Sequence, residues 1–168
     1  ANYLFMRCWL LLIFCLAVNT IQAQSWRGLF TAAQQAYEAG NSEEAIKTGT
    51  DCLNAFKKED GAASENYASI LRLLGNANYA IGEYAKGLVF IEQELVIREA
   101  KQDINYASAL DNAAQFQNAL GEYGKATMLL QKARGVLELF HRADDAPLLL
   151  NQLAIASTLY LSGNSTLA

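Results

Sequence analysis

Beyond residue 23, two side chains could anchor nucleophilic or acid–base chemistry, Cys52 and His141. His141 is the only histidine of the 168 residues. A histidine base needs a nucleophile to activate and a further group to orient it. His141 instead lies in "LFHRADD", at the end of a helical run, where an imidazolium complements the helix dipole. Cys52 reads as a packed thiol rather than a nucleophile. As a single cysteine it can form neither an internal disulfide nor a cysteine zinc cluster. The acids Glu43, Glu44, Asp144 and Asp145 fit helix starts and connectors better than metal ligation. No Gly-rich phosphate loop, His-x-x-x-His pair or Ser-centred elbow occurs. The sequence therefore points to no catalysis, metal or cofactor, and the remaining chemistry is recognition.

Composition sets what could do the recognising. The chain is 52% hydrophobic and 18% charged, with one proline. That suits uninterrupted helices with a real core and argues against disorder. A net charge of -4 gives no electrostatic reason to expect nucleic acid or anionic lipid as partner. The first 23 residues differ from the rest. They hold one charge, Arg7, then the apolar run "CWLLLIFCLAV" and the polar "NTIQAQ". This is the layout of an export signal cleaved after Ala23, and the run is too short to span a membrane. Cys15 follows Phe14 inside the run, which excludes lipidation. The mature chain is expected outside the cytoplasm, periplasmic or extracellular, of a bacterium. The segments expected are a signal peptide, 1–23, and a repeat domain, 25–168.

The repeats appear on self-comparison. "NYASILRLLGNANYAIGEYAKG" starts at Asn66, and "NYASALDNAAQFQNALGEYGKA" starts 39 residues later at Asn105. Gly40, Gly82, Gly121 and Gly163 recur at spacings of 42, 39 and 42. Each follows an apolar helical run, as a glycine in the left-handed conformation does when it ends a helix. Ile70, Leu71, Leu74, Ala77 and Ile81 recur at steps of three and four. So do Ala126, Leu129, Leu130, Ala133, Val136, Leu137 and Phe140. The unit is a helix A, a tight Gly turn, a helix B and a polar connector, with bounds near 25–63, 64–103, 104–145 and 146–168. Asp103 and Asp145 are expected helix N-caps, and Pro147 belongs in a first turn.

These units resemble tetratricopeptide repeats. "LLGNANYAIGEYAKG" supplies Leu74, Gly75, Tyr79, Gly82 and Tyr84 of that signature, with Gly87 where alanine is usual. The next unit supplies Gly121, Tyr123 and Ala126, with Ala114 where the first glycine is usual. The first supplies Gly40 and Ala45, with Ser42 in place of the tyrosine. The long period, Tyr67-Ala68, Tyr106-Ala107 and Ile97-Arg98-Glu99 are similar to the variant found in kinesin light chains. HEAT and armadillo arrays share the period but lack the paired Gly-x-Tyr turns.

The resemblance implies an all-α solenoid of antiparallel helix pairs, a right-handed superhelix of about three and a half repeats. It places Cys52 at a small buried position of helix B. It also implies a non-enzymatic scaffold that binds protein or peptide through the concave helix A face. On that face it puts Arg72, Asn76 and Tyr79, then Asp111, Asn112, Gln115 and Asn118. Ser69, Leu73 and Ser108 join them, as do Leu150, Leu153, Ala154, Ser157 and Tyr160 of the last unit. The chain is also similar to the N-terminal repeat arms of bacterial proteins carrying a CHAT-type protease domain. In that alternative it is the recognition arm of a larger enzyme, or of a signalling protein, with catalysis beyond residue 168. The last helix A, "PLLLNQLAIASTLYL", is almost wholly apolar. It is expected to expose Leu148, Leu149, Ile155 and Leu159 unless further repeats or a downstream domain cover them.

Overall fold

The computed structural model describes residues 25–59, 64–141 and 143–165. The expected signal peptide, 1–23, lies outside them. Among the described residues there are seven helices and no strand. They are α1 (Trp26–Glu38), α2 (Ser42–Glu59), α3 (Glu65–Ala80), α4 (Tyr84–Glu99), α5 (Ile104–Ala119), α6 (Tyr123–Leu137) and α7 (Ala146–Ser165). The chain divides into two compact units, the first through residue 62 and the second from residue 63.

The first unit is one helix pair. Ser25 caps α1 by accepting from the Gly28 N–H at 3.4 Å, and Asn41 caps α2 through Glu44 N–H at 3.3 Å. Trp26 and Phe56 meet edge to face, centroids 4.8 Å apart. Cys52 is fully buried beneath them and donates to the Trp26 carbonyl at 3.1 Å. Burial pushes its thiol up to about 12. A thiolate is therefore absent at neutral pH, and the packed-thiol expectation holds. Iodoacetamide at pH 8 should leave Cys52 unmodified in folded protein and alkylate it in urea, as read by peptide mass mapping. Rapid native labelling would show that the pair opens.

In the second unit each helix packs on the next in chain order, from α3 to α7. Ser64 and Asp103 cap α3 and α5 from the N–H groups of Tyr67 and Tyr106, at 3.3 and 3.0 Å. The Gly turns share one geometry. Gly40, Gly82 and Gly121 have φ of 78°, 80° and 78°. Each donates to the carbonyl three residues back, as Gly82 does to Tyr79 at 3.0 Å. The next residue donates five back, as Glu83 does to Asn78 at 2.9 Å. These bonds satisfy the carbonyls that a helix end leaves open. Gly163 departs from the expectation. It stays inside α7, which continues to Ser165, and it lacks the positive φ of the other three.

The repeated ends of the units are structural. Tyr67, Ala68, Tyr106 and Ala107 are buried at the entry of helix A. Tyr106 also donates to Glu99 at 3.2 Å, and Lys132 reaches the same carboxylate at 2.9 Å. Of the periodic apolar residues, Ile81 and Phe140 turn out to be exposed. Both lie past the last residue of their helix, where the helical register no longer aims them inward. In α7, Leu148 is buried with Leu110, Val136 and Leu137, and Ile155 packs against Ala114, Ala126 and Leu130. Those two are therefore covered, contrary to expectation, because the helix lays that face on α5 and α6. Leu149 and Leu159 are exposed as expected.

A buried ionic cluster crosses α3 and α4. Glu94 is fully buried and Arg98 nearly so, with Arg98 Nε 2.6 Å from Glu94 Oε1. The other face of the guanidinium meets Glu65 Oε2 at 2.6 Å, and Lys101 holds the second Glu65 oxygen at 2.6 Å. Burial pushes the Glu94 carboxyl up, and the charges of Arg98 and then Arg72 oppose that push. Lys101 first, with Arg98, holds the Glu65 carboxyl below its ordinary value.

Candidate protein-binding groove

Helix A residues at steps of three and four share one helix face. On α3 this puts Arg72, Asn76 and Tyr79 in one row, and on α5 it puts Asp111, Gln115 and Asn118 in another. The two rows differ in what holds them. Arg72 Nε lies 3.9 Å from the buried Glu94 carboxylate, so part of its charge is engaged inward. The Tyr79 ring stands 5.0 Å from both Tyr84 and Phe116, in an aromatic seam joining α3, α4 and α5. Asn76 and Asn112 are half-buried.

The α5 row forms a site. Asp111, Gln115 and Asn118 line a cleft of about 180 Å³, walled on the other side by Leu150, Asn151 and Ala154 of α7 and floored by Ala114 and Leu130. Arg72, Asn76, Tyr79 and Asn112 do not line it. Sequence reasoning missed Asn151 and Thr158, which are buried at 2% and 0% exposure. Asn151 Nδ2 donates to Asp111 Oδ1 and to the Leu130 carbonyl, both at 3.1 Å. Asn118 Nδ2 donates to Thr158 Oγ1 at 2.8 Å. These bonds fix α7 to α5 in register. The hint was present in the sequence: two polar residues seven apart, on one face of a largely apolar helix.

Asp111 pays for its place. Burial pushes its carboxyl above the ordinary 3.8, and the Asn151 hydrogen bond only partly offsets this. A raised aspartate penalises the folded state once it must ionise, and the penalty vanishes below the unfolded value. Asp111→Asn keeps an oxygen for Asn151 and removes the charge. It should raise the melting temperature at pH 7, with the gain shrinking to nothing as pH falls below 3.8. Thermal melts at pH 7 and pH 3 check this, and a lower melting temperature at pH 7 would refute it.

A second cleft, of about 260 Å³, opens on the helix B side between Leu88, Leu95, Met128 and Leu129, with Glu92 and Lys125 also lining it. Among the described residues no group of acids, cysteines and histidine could hold a metal ion, and no helix is long and apolar enough to cross a membrane.

Neither a protein-family model nor a curated protein matches the chain. Solved structures do. A kinesin light chain-like protein of Podosopora anserina, built of nearly identical TPR-like repeats, superposes with a TM-score of 0.72 at 17% identity, over 82% of this chain and 66% of that one. The fold is that of tetratricopeptide-like repeats. BtubC (BKLC) from P. vanneervenii matches at TM-score 0.74 and 14% identity, over 80% of this chain and 55% of its own. The first TPR domain of human RPAP3 matches at 0.58 and 14% identity, over 82% and 97%. The chain thus spans about two thirds or less of the first two of these proteins. As tetratricopeptide-like repeats, α1 with α2, α3 with α4 and α5 with α6 are three helix A–helix B pairs, and α7 is a further helix A.

Proposed function

We propose that this protein is the binding module of an exported scaffold, which takes a protein or peptide along its helix A face. The observation that carries the reading is the cleft between α5 and α7. It gathers Asp111, Gln115 and Asn118 on helix A positions that packing leaves accessible. Amide side chains both donate and accept, which suits the backbone of an extended peptide. A photo-crosslinking residue placed at Gln115 should capture partners from culture fluid or periplasm, and one at Gln93 on α4 should not. Equal capture at both, or equal capture by wild type and the Asn76/Asp111/Gln115 triple alanine variant, would sink the groove reading.

Export is supported by the character of residues 1–23 and is tested by the N-terminus of the secreted product, expected at Gln24. A second feature supports further helices in the same protein. Aligned in sequence on Gly121 and Gly163, Leu149, Gln152, Ala156 and Leu159 of α7 stand where α5 has Ala107, Leu110, Ala114 and Gln117. In α5 those four are buried, three of them in clusters with α6, whereas in α7 all four are exposed. A helix B of the same kind would cover them. The gene beyond codon 168 tests this, and it also separates a plain scaffold from the recognition arm of an enzyme or signalling protein.

A further inference from the structure

The α5–α7 cleft holds an acid and two amide oxygens with no cation beside them. Asp111 accepts one hydrogen bond, from Asn151, and no cation pairs with it among the described residues. The Asn151 amide nitrogen is committed to two acceptors, which fixes the orientation of the amide and leaves its Oδ1 buried and unpartnered. Asn118 Oδ1 is unpartnered as well. Both amide oxygens lie below the surface, so the charged acceptor within a ligand's reach is the half-buried Asp111. No lysine or arginine lines the cleft to pair with it.

Beside these acceptors the surface turns apolar. Leu150, Leu153 and Tyr160 share one face of α7, at 66%, 65% and 71% exposure. The equivalent positions on α5 are Ser108, Asp111 and Asn118. The groove therefore passes from hydrogen-bonding on α5 to greasy on α7 within one repeat.

We infer that the cleft selects an extended peptide that presents a lysine or arginine side chain to Asp111, next to a large apolar side chain laid on Leu150 and Leu153. This deepens the groove reading above and rests on it. A lysine ammonium or an arginine guanidinium carries only donors, so it answers the Asp111 carboxylate without adding another acceptor. Contact with the Asp111 carboxylate makes the bond charge-assisted and offsets the cost of keeping that carboxylate in the cleft. An acidic peptide would meet like charge at Asp111 and, beyond it, a chain of net charge -4. The apolar neighbour gains by covering leucines that are otherwise in water.

The test is selection of a phage-displayed random heptapeptide library on the full chain, followed by affinity measurement on a synthetic copy of the strongest clone. Lysine or arginine adjacent to leucine, isoleucine or phenylalanine should be enriched. Affinity should fall about tenfold for Asp111→Asn, comparably for Leu150→Ser, and further as salt is raised. The melting temperature of each variant shows that it is folded. Peptides that crosslink at Gln115, carry no cation and bind Asp111→Asn as tightly as wild type overturn this inference and leave the groove reading standing. Peptides that crosslink at Gln93, or a selection without enrichment, overturn both.

Discussion

Arg98→Ala should destabilise the second unit by about 3–5 kcal/mol at pH 7, the usual result of breaking a buried ion pair from one side. Arg98 is 2% exposed and Glu94 is fully buried. Glu94 Oε2 already lacks a partner, so the carboxylate depends on Arg98 at 2.6 Å, with Arg72 at 3.9 Å too distant to replace it. The variant also removes one of the two cations on Glu65. Acid should narrow the gap. Burial already raises Glu94 above its ordinary 4.5, and losing Arg98 raises it further. The penalty for an ionised Glu94 is full above that raised value and gone below 4.5. Glu65 is lowered by its partners, so its contribution too is present above 4.5 and is lost on acidification. Urea unfolding at pH 7 and pH 4 reads both. A gap that stays constant with pH would mean that lost packing of the long arginine stem, rather than an orphaned carboxylate, sets the cost. Replacing the pair together, Glu94→Leu with Arg98→Met, should recover most of the loss, because the stranded charge is then absent.

Gly87→Ala is the second large effect, and its sign runs against the repeat pattern. Alanine is the usual residue here in the family that the sequence resembles, and it gains about 1 kcal/mol over glycine as a helix former. In this protein the new methyl would run into the Phe116 Cε1 atom and stand 2.9 Å from the Gly75 carbonyl oxygen. Phe116 has no room to retreat: it is 2% exposed and packed with Ile91, Ala113, Tyr84, Leu88 and Leu129. Overpacking of this kind costs about 1–3 kcal/mol, which outweighs the propensity gain. Gly75→Ala should cost about as much, since its methyl would stand 2.5 and 2.8 Å from Cδ1 and Cγ1 of Ile91, which is fully buried in the same cluster. A double-mutant cycle with Phe116→Leu identifies the cause. The smaller side chain should rescue Gly87→Ala by more than the separate effects predict. If Gly87→Ala instead stabilises the protein, the backbones of α3 and α4 are free to move apart.

What the sequence determined by itself is what local rules control. Glycines that recur after apolar helical runs place the turns, and Gly40, Gly82 and Gly121 adopt the left-handed conformation that this demands. Asp103 caps its helix because a side-chain oxygen three residues before an open N–H needs no distant partner. The helix pairs and the buried face of each follow from periodicity of the same range. The fate of Gly163 does not, because a turn is completed by the residues after its glycine, and α7 continues through this one. Nor does the Glu94–Arg98–Glu65 cluster, whose members come from two helices and read one by one as surface charges. The groove divides along the same line. Helical spacing put Asp111, Gln115 and Asn118 on one face. Only the packing of α3 against α4 and α5 set Arg72 beside Glu94 and Tyr79 in an aromatic seam, and only the packing of α7 across α5 made Asp111, Gln115 and Asn118 line a cleft. The same packing put Asn151 and Thr158 opposite them, 40 residues along the chain from the partners they meet. Pairing at that distance depends on the offset between two repeats, which is fixed by how their surfaces fit and not by either segment alone.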